Sequence, residues 1–195
     1  MNDRVGPSAP GTGEPRLAPL DRADLSPYAR QIFDDVPPGG AVNLVATLAH
    51  QPELFERFLG VTLALQAGAL GWRWRELVVL RLAYRRRCRY IWRQHVAIGR
   101  AAGMTGDEVA LLAGVPDHPH WTPQESVLLR AVDQLVEDSG IDGPTWAALA
   151  SILTPAQLVE LTVLVGHYSG MAYLANSAAV LSEADPADDP RLEPW

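Results

Sequence analysis

Glu76, Cys88 and His95 fall within one stretch of twenty residues, and a carboxylate, a thiol and an imidazole are the side chains that most often move protons or attack electrophiles. Glu76 stands among Trp72, Leu77, Val78, Val79 and Leu80. If that apolar setting buries it, desolvation raises its pKa unless hydrogen bonds or a nearby arginine offset the shift, so it reads either as a proton relay or as half of a structural ion pair. Cys88 is the only cysteine and has Arg85, Arg86, Arg87 and Arg89 beside it near a helix start. Those features favour thiolate, whereas a free cysteine is also a common small core filler. His95 is either a proton-transfer group or a hydrogen-bonded core imidazole.

Helix arithmetic says which of these can meet. Cys88 and His95, seven residues apart, share a face with roughly 10 Å of axial rise between them. Glu76 is twelve residues before Cys88 and about 18 Å away on a straight helix, out of reach. The three converge only if the chain bends near Tyr84 to Arg89 and folds one helix back on the next.

Apolar residues recur at spacings of three and four almost throughout, with no sustained alternation of period two, so the fold class is all-α. The expected helices are 27–36, 42–50, 52–68, 72–87, 90–103, 106–113, 123–139, 144–153 and 155–182. Thr105 with Glu108, Thr122 with Glu125 and Thr154 with Gln157 have capping-box spacing, and Pro123 and Pro155 occupy first helical positions. Gly68, Gly103 and Gly140 fit helix C-termini. The chain reads as one domain, residues 20–183. Residues 1–19 form a Pro- and Gly-rich tail and residues 184–195 an acidic, Pro-rich one, both expected to be disordered or loosely draped.

The formal net charge of −7 argues against a nucleic-acid partner. All sixteen basic residues are Arg, and nine lie between Arg73 and Arg100. That cluster either holds an anionic substrate or pairs with acidic neighbours or a partner subunit. A single cysteine excludes an intramolecular disulfide framework, and the N-terminus lacks an apolar leader, so a cytoplasmic protein is expected. Leu158 to Leu181 is long and apolar but is interrupted by Glu160, His167 and Asn176, and reads as a core or interface helix rather than a membrane span. His118, His120 and Asp117 do not form a ligand set at zinc spacing, so no metal is expected. Phosphate-loop and dinucleotide signatures are absent.

Arg75-Glu76, then Cys88-x-Tyr90-x-Trp92-x-x-His95 and Ala101-Ala-Gly103-Met-Thr-x-Asp-Glu108, resemble the carboxymuconolactone decarboxylase family, which includes the AhpD-like alkylhydroperoxidases. Ala41-Val-Asn-Leu, Trp146-Ala-Ala-Leu149 and Gln157-Leu-Val-Glu-Leu to Tyr168 are similar to its framework. The resemblance, over residues 40–182, implies an AhpD-like helical fold with a central antiparallel hairpin. It also implies no cofactor, a homo-oligomer between dimer and hexamer, and a small-molecule substrate. Ile91 stands where the peroxidases have a second cysteine and the decarboxylases a carboxylate. The implied activity is decarboxylation, or a related proton-transfer, ring-opening or elimination step, on an anionic or carbonyl-bearing organic molecule. Glu76 and His95 would shuttle protons, Arg75 or another pocket arginine hold the anion and Cys88 polarise or protonate, with Tyr90, Trp92, His167 and Tyr168 lining the pocket. A one-Cys hydroperoxidase acting through Cys88 and a non-catalytic helical binder are the alternatives.

Overall fold

Helix α4 (Trp72–Arg85) is buried continuously from Arg75 to Ala83, its charged Arg75, Glu76 and Arg81 included, and lies at the centre of the helical core. In the computed structural model, which describes residues 13–34, 43–183 and 192–195, the other helices are laid around it. They are α1 (Pro27–Asp34), α2 (Asn43–Leu48), α3 (Pro52–Gln66), α5 (Arg89–Ala101), α6 (Gly106–Leu111), α7 (Pro123–Asp138), α8 (Gly143–Ala150) and α9 (Pro155–Ala178). No strand occurs among the described residues. The fold is the all-α one expected, with α5, α7 and α9 packed on α4.

The expected bend is present. α4 ends at Arg85, Arg87 takes a left-handed φ of 50°, and Cys88 is the N-cap of α5. The two helices return along each other as a hairpin whose approach is set by Gly99. A Cβ there would lie 3.2 Å from Leu80 Cδ1, 3.1 Å from Met104 Sδ and 3.8 Å from Glu76 Cβ. The missing side chain lets α5 close on α4 opposite Glu76.

All three capping boxes form, each Thr hydroxyl accepting from the N3 amide while the N3 side chain returns to the Thr amide. Helix ends differ from expectation where tertiary contacts intervene. Ser139, not Gly140, takes the left-handed position after α7, with φ 59°. α9 stops at Ala178 because Ala179 turns left-handed, with φ 52°. Gly68 adopts no left-handed angle; it is required because a Cβ would come within 2.0 Å of Glu160 Oε1. The Glu160 carboxylate occupies that space to accept from the amides of Ala69 (2.6 Å) and Leu70 (3.3 Å). The proposed ends of the first two helices, 35–36 and 42, lie outside the described residues, as do 1–12 and 184–191 of the expected tails.

The last four residues are not loosely draped. Leu192 is buried, its carbonyl accepts from Trp92 Nε1 at 2.6 Å, and Glu193 pairs with Arg93 at 2.8 Å. Arg89 donates to the Trp195 carbonyl at 2.7 Å, and the Trp195 ring stacks on Tyr84 and meets Trp92 edge-on. Composition marked this end as polar, but its final aromatic and aliphatic residues find an apolar notch at the hairpin turn. α9 is long and apolar enough by length and composition to cross a membrane. Its Leu161, Leu164, Val165, Tyr168, Ala172 and Ala175 face is nevertheless buried in the core.

Candidate active site

The hairpin brings Glu76 and His95 together. Glu76 has no solvent exposure, and its Oε2 accepts from His95 Nδ1 at 2.6 Å. Oε1 accepts from Arg75 Nε at 3.0 Å and Nη2 at 2.9 Å. Both carboxylate oxygens are therefore engaged. Burial pushes the Glu76 carboxyl up, but the hydrogen bond and charge of His95, followed by those of Arg75, outweigh it and hold the group below the usual carboxylate range. A carboxylate only accepts, so Nδ1 carries a proton, and in the neutral ring the lone pair lies on Nε2. Nε2 has no partner among the described residues, and the His95 side chain is 12% exposed.

Tyr168, from α9, completes this cluster. Its ring meets that of His95 edge-on, with centroids 5.3 Å apart. Burial, reinforced by the Glu76 charge and partly offset by Arg75, raises its phenol to about 12. The hydroxyl remains a proton donor at neutral pH. His167, its neighbour, faces elsewhere: it stacks on Phe58 and its Nε2 meets Thr62 Oγ1 at 2.8 Å.

Arg75 is positioned differently from the expectation that it binds a substrate anion. Its Nε and Nη2 go to Glu76, Nη1 donates to the Gln66 carbonyl at 3.1 Å, and its guanidinium lies 4.2 Å from the Trp72 ring centroid. It is buried and fully engaged, so it fixes the carboxylate instead. Several other arginines of the cluster are spent on acids. Arg73 pairs with Glu108 and Glu125, Arg81 with Asp133, and Arg85 with Asp133 and Glu137.

Cys88 stays at the elbow, two turns from His95, and makes no hydrogen bond to His95 or Glu76. Burial drives its thiol up to about 11, the amides of Ile91 and Tyr90 recovering only part of the shift. The neighbouring arginines point to Asp133, Glu137, Ser169 and the Trp195 carbonyl rather than to sulfur. Tyr90 and Trp92 are framework and not pocket lining. The Tyr90 hydroxyl accepts from the Leu44 amide and donates to Glu183, and Trp92 is fully buried with its N–H on Leu192. Sequence reasoning did not single out Trp72 as a cover over Arg75, although their spacing of three puts them on one helix face. It also passed over Gly99, a glycine inside a helix, which usually has a packing reason.

The carboxymuconolactone decarboxylase family model matches residues 52–134, which contain α3 to α5 and most of α7. No curated protein sequence matches the chain. An AhpD-like protein of Agrobacterium tumefaciens is 22% identical with a TM-score of 0.66, over 72% of this chain and 96% of its own. A peroxidase-related AhpD-core protein of Ralstonia eutropha is 20% identical with a TM-score of 0.75, over 90% and 95%. The debrominase Bmp8 is 14% identical with a TM-score of 0.75, over 91% and 96%. These likenesses establish the fold and leave the chemistry to the residues themselves. The hairpin that joins Glu76 to His95 thus lies wholly inside the segment that matches the carboxymuconolactone decarboxylase family model, and the chain as a whole has an AhpD-like helical fold similar to that of these structures.

Proposed function

We propose that the protein is a cofactor-independent proton-transfer enzyme acting on a small carbonyl-bearing organic acid, with decarboxylation as its principal reaction. The supporting observation is the 2.6 Å contact between a fully buried Glu76 carboxylate and His95 Nδ1, with Nε2 unpartnered. In decarboxylation, the breaking C–C bond leaves its electron pair on the substrate as an enolate while CO2 departs. The His95 imidazolium then delivers its Nε2 proton to that carbon and recovers a proton from solvent. Glu76 stabilises the imidazolium electrostatically without reorganising, since Arg75 already holds it. Tyr168, whose ring meets His95 edge-on, is the proposed hydrogen-bond donor to the developing enolate oxygen.

Thiol chemistry has weaker support, because a buried cysteine near pKa 11 is almost wholly protonated at neutral pH. Self-association is part of the proposal, supported by exposed Val61, Leu63, Val159 and Val163 on α3 and α9.

The test is CO2 release from a panel of carboxylated lactones and β-keto acids, together with NMR-detected exchange of α-hydrogens in D2O. Turnover is expected with at least one compound, and it should fall by about a hundredfold or more in folded Glu76→Gln and His95→Gln. Activity that survives both substitutions, or that is lost in Cys88→Ser alone, would overturn the reading.

A further inference from the structure

A cavity of about 310 Å3 lies between α2, α3 and α9, on a different face of α9 from Tyr168 and the Glu76–His95 contact. Its walls include Leu44, Leu48, Phe55, Phe58, Met171 and Leu174. Leu44 and Phe55 are buried at its floor, Leu54 and Gly170 are exposed at its rim and the other lining residues are half-buried, so it is a recess that opens partly to solvent. Protein interiors rarely leave voids larger than a water. This one is about twice the ~150 Å3 apolar cavity that takes up benzene. No charged residue lines it, and its single hydroxyl belongs to Thr62.

That hydroxyl has an organised backing. Thr62 Oγ1 donates to the Phe58 carbonyl at 3.2 Å and meets His167 Nε2 at 2.8 Å, which leaves the oxygen a lone pair to accept one further hydrogen bond, and the His167 ring lies stacked on Phe58, with centroids 4.1 Å apart and planes 26° from parallel. His167, Gly170, Met171 and Leu174, at helical spacings of three and four, form one strip of α9 running along this recess. Burial lowers the His167 pKa, so the imidazole is neutral and can donate or accept.

We infer that this recess is a second ligand site, which takes one neutral, mainly apolar molecule of about two fused rings that carries a single hydroxyl to donate to Thr62 Oγ1. Size sets the first property, the absence of charge in the wall the second, and the Thr62–His167 pair the third. The inference stands apart from the proton-transfer reading, since none of its residues touches Glu76 or His95.

The probe is 2-naphthol, followed by its own fluorescence on titration with the intact protein. One molecule should bind per chain with a micromolar Kd. 2-Naphthoate, of similar size but anionic, should bind at least tenfold more weakly. A Cβ at Gly170 meets nothing within 4 Å, so Gly170→Leu should fold and fill the recess, weakening 2-naphthol at least tenfold. Gly170→Ala controls for folding. Thr62→Val should weaken 2-naphthol several-fold and leave naphthalene unaffected. The inference fails if 2-naphthol does not saturate below its solubility limit, if the carboxylate binds equally, or if Gly170→Leu changes nothing. It also fails if one probe binds per two chains, which would make the recess a contact between copies.

Discussion

At the scale of single residues, the division of labour follows from burial. Glu76 can remain ionised in the core because three hydrogen bonds and two cationic or polarisable partners surround it, whereas Cys88, equally buried, has only backbone amides and stays protonated. The expected behaviour of Cys88 is therefore inertness. In native protein at pH 7.5 a disulfide reagent such as DTNB should label it at least a hundredfold more slowly than in denaturant, and low excesses of hydrogen peroxide should add no oxygen. Rapid labelling of the folded protein would contradict the burial argument. The sequence told us which residue types were present and that a bend was required for them to meet. It could not tell which of several arginines would turn toward sulfur, because that depends on where Asp133, Glu137 and the Trp195 carbonyl lie in space. Arg75 was misjudged for the same reason: its neighbour in sequence, Glu76, is also its partner, and the pair closes on itself.

At the scale of the element, nearly every helix was legible, since periodicity, Thr caps and N1 prolines are local signals. Boundaries failed where the left-handed residue was not a glycine, as at Ser139 and Ala179, or where a residue remote in sequence intervened, as Glu160 does at Gly68. Arg81 shows how long-range pairing locks the elements together. Its Nε and Nη2 hold Asp133 at 2.7 and 2.6 Å, while Nη1 reaches the carbonyls of Leu112 and Gly114, both at 2.6 Å. Removing one partner of a buried pair strands the other, so Arg81→Ala should cost about 3–5 kcal/mol in a denaturant titration. A loss below 1 kcal/mol would mean that Asp133 is satisfied by Arg85 alone. Acid should weaken the start of α6. Burial raises the Glu108 carboxyl, but Arg73, the Thr105 amide and His120 more than reverse this and bring it to about 2. Its folded pKa lies below the ordinary carboxyl value of 4.5, so its contribution is complete above about pH 4.5 and is lost as the pH falls toward 2. Glu108→Gln should be less stable than wild type at pH 7, with the difference shrinking across that window in a pH series of melting curves.

At the scale of the whole molecule, the docked segment 192–195 does what a short helical core cannot do for its own elbow: it supplies an acceptor for Trp92, a counter-charge for Arg93 and a ring against Tyr84. Deleting these four residues should speed Cys88 labelling by tenfold or more and lower the denaturation midpoint, because the indole N–H loses its buried acceptor. Unchanged labelling and midpoint would reduce the segment to a surface ornament. The hairpin has a further consequence for engineering. Sulfur sits at its closed end and the acid–base couple two turns along, with position 91 between them, three residues past Cys88 and four before His95 on α5. A thiol introduced there would adjoin both the existing sulfur and the imidazole, so it would couple two groups that the native chain keeps apart.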